Sequence, residues 1–438
     1  MPDEKIVQTP VSDLEIGMYV AELDRPWSKT PFVVQGFYIE SPEDIDSLRE
    51  HCDFVYIDAF RTRKGMERRS DRIYGGHHGA GTRPEQHRAE HQQSEGAALF
   101  RQRAADVPAQ LFPHRKLKKH ADACSLEEEL PRAKRAYADL GAALGAMMEE
   151  YQRAGVLDVS GVSACAGPVV DSVLRNPDAC VWLARLRDED SYTHRHAAGA
   201  CVWAVALGRQ LGLPRIELQR IALGALLFDV GKLRIPRELL VKRGRLTRGE
   251  FELLKSHVAF GMELLQDTGV MHRSVAEMVQ HHHERHGGHG YPQGLRGEAI
   301  PVMARIAAIV DCYDAITSQR PYAVPISPSN AVKKLYAWRD IDFQADLVEE
   351  FIQAIGIYPA GTLVELNSGE VGVVMAEYRT RRLRPQVLLL LDREKRPLQN
   401  PRPLDLRNGA QGDRDRPLEI ATSLEPGAFG ISPEALSI

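Results

Sequence analysis

The run His281-His282-His283-Glu284-Arg285-His286-Gly287-Gly288-His289-Gly290-Tyr291-Pro292 decides how the rest of the chain is read. Five imidazoles and a carboxylate fall within nine residues, and a glycine-rich turn and a proline follow at once. Neutral imidazole is the commonest metal ligand, and adjacent histidines at a helix end can face one polar cavity. The glycines let the backbone bend sharply and approach a bulky ligand. A solvated, histidine-rich loop is the plain alternative. His286 and His289 fit that description, because glycines beside them leave the loop unconstrained and the rings facing solvent. What flanks the run has to separate the two readings.

Outward from it, the chain is helical on both sides. Leu140, Leu144, Met147 and Met148 repeat on one face within 126–154, and helical patterns continue to about residue 354. The spacing predicts helices over Val169–Leu174, Ala179–Leu186, His194–Leu211, Glu217–Phe228, Arg248–Leu265 and Ile300–Thr317. Strand signals are nearly absent there, so the region is an all-α domain. Polar residues interrupt these apolar faces in the same way each time: His196, Asp229 after the run Ile221–Phe228, His257, and Asp311 after Arg305–Val310. A buried charge is costly unless it is paired or bound to metal. One such residue is ordinarily a satisfied core polar group. Several of ligand type in one helical domain point to a shared site.

The ends of the chain differ. Residues 1–61 read as a small α/β module, with strands at Tyr19–Leu23, Phe37–Ile39 and Phe54–Asp58 and a helix starting at Ser41-Pro42. Residues 62–107 are rich in Arg, Gln, Gly, Glu and His, including His77, His78 and His87, and read as a linker. A helical connector spans 108–157 and the helical domain 158–358. Leu363–Leu366, Gly372–Glu377 and Val387–Leu391 read as strands of a β appendage at 359–410, with Asn367-Ser368-Gly369 as a hairpin turn. A loosely ordered tail follows from 411 to 438. The fold class is mainly α, with a small N-terminal α/β module and a small C-terminal β appendage.

Composition narrows the function. A net charge of −4 argues against a general nucleic-acid binder. The six cysteines form no C-x-x-C pair, which suggests reduced thiols and a cytoplasmic location. No apolar run approaches the ~18 to 20 residues needed to span a bilayer, and the polar N-terminus carries no secretory signal.

Taken together, His196, Asp229-x-Gly231-Lys232, His257, His282-His283-Glu284-Arg285, Gly290-Tyr291-Pro292 and Asp311-x-x-Asp314-Ala315 resemble the HD-GYP subgroup of HD-domain phosphohydrolases. Ile235-Pro236, Lys242-x-Gly244-x-Leu246-Thr247 and Arg320-Pro321-Tyr322 match as well. The likeness covers roughly 160–355. Gly17-Met18-Tyr19-Val20 and Pro31-Phe32 are similar to an uncharacterised domain that often precedes such domains.

The resemblance implies an HD-domain helical bundle that binds divalent ions, Fe or Mn, and hydrolyses cyclic di-GMP to pGpG and/or GMP. Carried over by residue, one ion takes His196 and Asp311, and the other takes His257, His282 and His283. Asp229 bridges them. Lys232 meets a phosphate oxygen, Arg320 binds phosphate or guanine, and Gly290, Tyr291 and Pro292 shape the substrate pocket. Partners implied are cyclic di-GMP, GGDEF or other signalling proteins, and a second copy of the chain, with no DNA. This sequence departs from the family pattern at three places. The His-Asp signature reads Phe228-Asp229, so a ligand position carries a phenyl ring. Gly287 stands where an Asp is usual, and Tyr192 where some members carry a glutamate for a third metal, which limits the ions to one or two. Two readings follow: a phosphodiesterase slowed by Phe228, or an inactive cyclic di-GMP receptor or docking module.

Overall fold

A computed structural model of the protein describes residues 6–23, 37–39, 42–58, 107–185, 192–242, 244, 246–269, 272–318, 325–378, 383–408 and 417–431. Arg320, Pro321 and Tyr322 lie outside the described residues, as do Pro31, Phe32 and the segment read as a linker up to residue 106. The chain divides into two units, the first containing the N-terminal module and the second the helical domain with the C-terminal sheet.

In the first unit β1 (Ile6–Pro10), β2 (Tyr19–Leu23), β3 (Phe37–Tyr38) and β4 (Phe54–Asp58) form an antiparallel sheet in the order β1-β4-β2-β3. Helix α1 (Pro42–His51) starts on a proline, whose fixed φ and missing N–H suit a first helical position. Leu14, Val20, Leu23, Ile39, Leu48, Cys52, Val55 and Ile57 make one apolar cluster between sheet and helix. Strand β1 is absent from the sequence reading. Its Val7 is 46% exposed, so no clean apolar alternation marks it.

The second unit begins its long helices with α2 (Leu126–Ala154). Ser125 and Glu128 cap each other's backbone N–H, and Gly155 ends the helix at φ 69°. Glu129 faces inward, where a lone carboxylate would be costly. It accepts from Ser172 Oγ at 2.8 Å and from Arg175 Nε and Nη2 at 2.7 and 2.8 Å, which fastens α2 to α3 (Ser160–Arg175). Then follow α4 (Pro177–Arg185), α5 (Tyr192–Gln210), α6 (Arg215–Leu227), a 3-10 turn at Val230–Arg234, α7 (Arg237–Leu240) and α8 (Arg248–Lys255). The series closes with α9 (His257–Thr268), α10 (Arg273–His281), α11 (Val302–Thr317), α12 (Pro328–Ala337) and α13 (Ala345–Ile355).

Trp203 of α5, Tyr313 of α11 and Phe351 of α13 are fully buried and meet edge to face, with both centroid distances 5.1 Å. Burying a ring of this kind contributes about 1.5–3 kcal/mol, and each edge-on pair about 0.5–1.5 kcal/mol more. That aromatic row locks together the helices that carry His196 and Asp311.

One predicted helix is two. Arg248–Leu265 breaks at Ser256, whose hydroxyl donates to Leu253 O at 2.5 Å and competes with the helical ladder. The break makes His257 the first residue of a new helix. Helix α10 is missing from the main helices read in sequence, although Val275, Met278 and Val279 repeat at helical spacing and are buried.

The C-terminal strands β5 (Leu363–Leu366), β6 (Val371–Ala376), β7 (Gln386–Leu391), β8 (Pro397–Asp405) and β9 (Ile420–Ser423) form a sheet in the order β8-β7-β6-β5-β9. The hairpin at Asn367-Ser368-Gly369 is present, with Gly369 at φ 89° and its N–H bonded to Leu366 O. Strand β8 escapes the sequence reading because Pro397, Pro401 and Pro403 argue against a strand, yet an edge position tolerates them. The tail is more ordered than expected, since β9 pairs with β5 along the opposite edge.

Candidate metal centre

Helix α6 is buried along its apolar run and stops at Leu227, and the chain stays buried through Phe228, Asp229 and Val230 as it turns. Asp229 opens the 3-10 turn that follows, and that turn lies against the first turn of α9. The contact is close at Gly231: a Cβ there would sit 1.9 Å from His257 O and 2.4 Å from Gly261 N. A glycine is therefore what lets Asp229 and His257 share one wall.

The six residues expected to bind metal converge as two groups with Asp229 in both. Asp229, His257, His282 and His283 form one, and His196, Asp229 and Asp311 form the other, with ligand atoms within 4.8 Å of one another in each. His257 Nδ1 donates to Leu254 O at 2.7 Å, and His282 Nδ1 to Met278 O and Val279 O at 3.1 Å each. A carbonyl only accepts, so the proton of each neutral ring resides on Nδ1 and Nε2 carries a lone pair. Yet these two Nε2 atoms face each other at 3.3 Å, and lie 3.5 and 3.6 Å from Asp229 Oδ1. That oxygen is buried and makes no hydrogen bond. Two lone pairs and a carboxylate oxygen aimed at one point fit a cation and leave each other unsatisfied without one.

The second group is built alike. Asp314 Oδ2 accepts from His196 Nδ1 at 2.8 Å, while its Oδ1 accepts from Trp203 Nε1 at 3.0 Å. His196 Nε2 then points at Asp311 Oδ1, 3.2 Å, and Asp229 Oδ2, 3.4 Å. Either a proton or a cation has to lie among these atoms. A carboxylate behind a histidine is how metal-binding imidazoles are oriented and made more basic. Asp314 sits three residues after Asp311 on an apolar helix, a spacing that signals a shared face in the sequence. We expect Asp314→Asn to weaken metal binding at the His196 group about 10- to 100-fold, measured by calorimetric titration with Mn; unchanged affinity would remove this orienting role.

Protonation agrees with the geometry. Burial by itself would raise the Asp229 carboxyl, but the Lys232 charge and the neighbouring imidazoles hold it well below the usual carboxylate range. Asp311 is likewise lowered against its burial, chiefly by His196. Burial pushes His257 down to about 4 and His283 well below its ordinary value. With His257 and His283 pushed toward the neutral form and Asp229 and Asp311 held as carboxylates, these four groups are in the state a divalent ion binds.

Lys232 Nζ is bonded to Asp229 Oδ2 at 2.5 Å, and a quarter of its side chain is exposed. Tyr291 lies face to face with His283, centroids 4.5 Å apart. The loop that carries it is anchored: Glu284 is buried and accepts from Gln293 N at 2.8 Å and Leu295 N at 2.9 Å, and Tyr291 N donates to His283 O. A Cβ on Gly290 would fall 2.4–2.5 Å from backbone atoms of His283, Glu284 and Arg285, so the loop closes tightly on the histidine run. The unconstrained reading of the loop around His286 and His289 is corrected here, although His289 is exposed as expected and His286 half-buried. His289 Nε2 bonds to Asp342 Oδ1 at 2.8 Å, and the backbone N–H groups of His286 and Gly287 bond to Asp342 O and Ile341 O. His281 is buried outside both groups. Phe228 is fully buried, stacked on His282 at 4.8 Å and edge-on to His196 at 5.8 Å. Tyr192 opens α5, with its side chain outside the described residues.

Residues 183–344 match the HD domain family, residues 6–162 a domain of unknown function (DUF3391), and residues 363–410 the KOW domain associated with HD domain. Over 92% of its length the chain is 34% identical to the cyclic di-GMP phosphodiesterase PA4108 of Pseudomonas aeruginosa, covering 90% of that protein. The chain belongs to the HD-GYP family. Two further HD-GYP relatives match over shorter spans. The cyclic di-GMP phosphodiesterase response regulator RpfG of Xanthomonas campestris is 40% identical over 34% of this chain and 39% of its own. A cyclic di-GMP phosphodiesterase of Thermotoga maritima is 33% identical over 39% of this chain and 46% of its own. HD domains are metal-dependent, and the two His/Asp groups give this HD-GYP chain the residues to bind metal.

Proposed function

We propose that this chain is a metal-dependent phosphodiesterase that hydrolyses cyclic di-GMP to pGpG and/or GMP in bacterial second-messenger signalling. The observation that carries the reading is the pair of imidazole Nε2 atoms facing each other beside the orphaned Oδ1 of Asp229. One or two divalent ions, Fe or Mn, fit a donor set of imidazole and carboxylate without thiolate. When bound, they would supply a nucleophilic hydroxide at neutral pH and neutralise charge gathering on the phosphate. In this reading His196 and Asp311 would hold one ion and His257, His282 and His283 the other, with Asp229 contributing to both groups. Lys232, beside the shared carboxylate, neutralises a phosphate oxygen, and Gly290, Tyr291 and Pro292 close the pocket. Arg320 is the proposed second phosphate or guanine contact.

The six cysteines form no disulfide with one another, and no described helix is long and apolar enough to cross a membrane, which is the support for placing the enzyme in the cytoplasm. The N-terminal module is proposed to have a regulatory or docking role, and the proposed protein partners of the chain are GGDEF or other signalling proteins and a second copy of itself.

A second reading, an inactive cyclic di-GMP receptor, is favoured by Phe228, whose ring occupies a corner where the family's signature has a ligand. Metal analysis of purified protein, with anaerobic cyclic di-GMP turnover in Mn or Fe(II), separates the two. Bound metal with pGpG formation supports the enzyme, whereas tight nucleotide binding without product supports the receptor. The Phe228→His variant is expected to raise turnover about 10- to 100-fold, the range by which metal-site partners alter activity. No gain would show that the phenyl ring does not limit the reaction.

A further inference from the structure

Helix α8 carries Phe251, Leu253 and Leu254 but holds no buried residue along its length. Phe251 is 45% exposed and Leu253 42%. An amphipathic helix ordinarily turns its apolar stripe inward, so this one leaves surface for something else to cover. The Phe251 ring stands edge-on to Tyr291, with centroids 6.4 Å apart and planes at 81°. Lys255 Nζ lies 5.2 Å from the Phe251 centroid and 5.6 Å from that of Tyr291, and is steadied by Glu252 Oε1 at 2.7 Å. The opposite neighbour of Tyr291 is His283, stacked at 4.5 Å and 25°. An aromatic pair with a cation over both rings therefore runs outward from the Asp229, His257, His282 and His283 group.

We propose that Phe251, Tyr291 and Lys255 form a base-binding subsite that takes one guanine of a cyclic dinucleotide whose phosphate lies at the Asp229 groups. The inference rests on the function proposed above and names how that site reads its ligand. Every base offers a π-face to an aromatic side chain, so the exposed Phe251 ring supplies stacking for any nucleotide. Lys255 adds discrimination. Guanine presents two acceptors, O6 and N7, to an ammonium group, whereas adenine presents N7 beside an N6 donor that repels it.

The test is equilibrium binding of cyclic di-GMP and cyclic di-AMP to the Mn-loaded full chain, with metal content measured on every variant. Phe251→Ala should weaken cyclic di-GMP binding about 5- to 150-fold, the range found for losing one stacked base, and Phe251→Trp should restore it. Lys255→Gln should shrink the preference for cyclic di-GMP over cyclic di-AMP about tenfold, within the range of base discrimination by a paired side chain. Wild-type affinity in Phe251→Ala at full metal content overturns the subsite, and so does a Phe251→Ala chain that loses its metal. An unchanged preference in Lys255→Gln overturns the role of the lysine. Wild-type protein that holds metal but binds neither dinucleotide overturns the proposed function first, and the subsite with it.

Discussion

Asp229→Ala is expected to strip both cation sites at once and to lower cyclic di-GMP turnover by more than about 100-fold, beyond the 10- to 100-fold typical of residues that merely support a ligand. The reason is positional. Asp229 Oδ1 faces His257 and His282, while Oδ2 faces His196 and bonds to Lys232. Truncation removes one donor from each group and leaves the Lys232 ammonium without its carboxylate. Of the two groups, the one built on His196 should suffer more, because it keeps only one imidazole and one carboxylate. Metal analysis and single-turnover kinetics check this together. A variant that retains wild-type metal content would end the claim that the carboxylate is shared.

Gly231→Ala should be nearly as damaging, by a route that involves no ligand atom. The added methyl would meet His257 O at 1.9 Å and Gly261 N at 2.4 Å, and neither backbone atom can swing aside as a flexible side chain would. Either the 3-10 turn or α9 has to retreat, and each carries a member of the site. Overpacking usually costs 1–3 kcal/mol; with backbone on both sides, a loss of about 3 kcal/mol in chemical denaturation is expected, accompanied by loss of metal. If the variant denatures like wild type and keeps its metal, the close approach of turn and helix is not what positions His257.

Much of this site is legible in the sequence because burial and charge pull in opposite directions. Asp229 after an eight-residue apolar run and Asp311 within another are too costly to leave unpartnered, and the histidines are of the type that partners them. Which ring nitrogen faces which oxygen is not legible, because it depends on the carbonyls of Leu254, Met278 and Val279 that fix the tautomers. The division at Ser256 is hidden for a similar reason: the apolar period runs straight through it, and only the hydroxyl's bond to Leu253 O reveals the break. At the C-terminus β8 and β9 are obscured because edge strands satisfy few packing demands, so their residues follow no strict alternation. The histidine loop misled the reading in the other direction. Its glycines suggest freedom, but Glu284 and Asp342 take up its backbone and side-chain donors from both sides.

The carboxylate of Asp229 presents one oxygen to each metal-binding group, and it cannot rotate for one without rotating for the other. Were both positions to hold ions as proposed, their occupancies would be linked, and by reciprocity each ion would alter the affinity of the other by the same factor. A titration with Mn should accordingly fail to fit two independent sites. The enzyme would then respond to metal supply as a coupled pair rather than as two separate binding events.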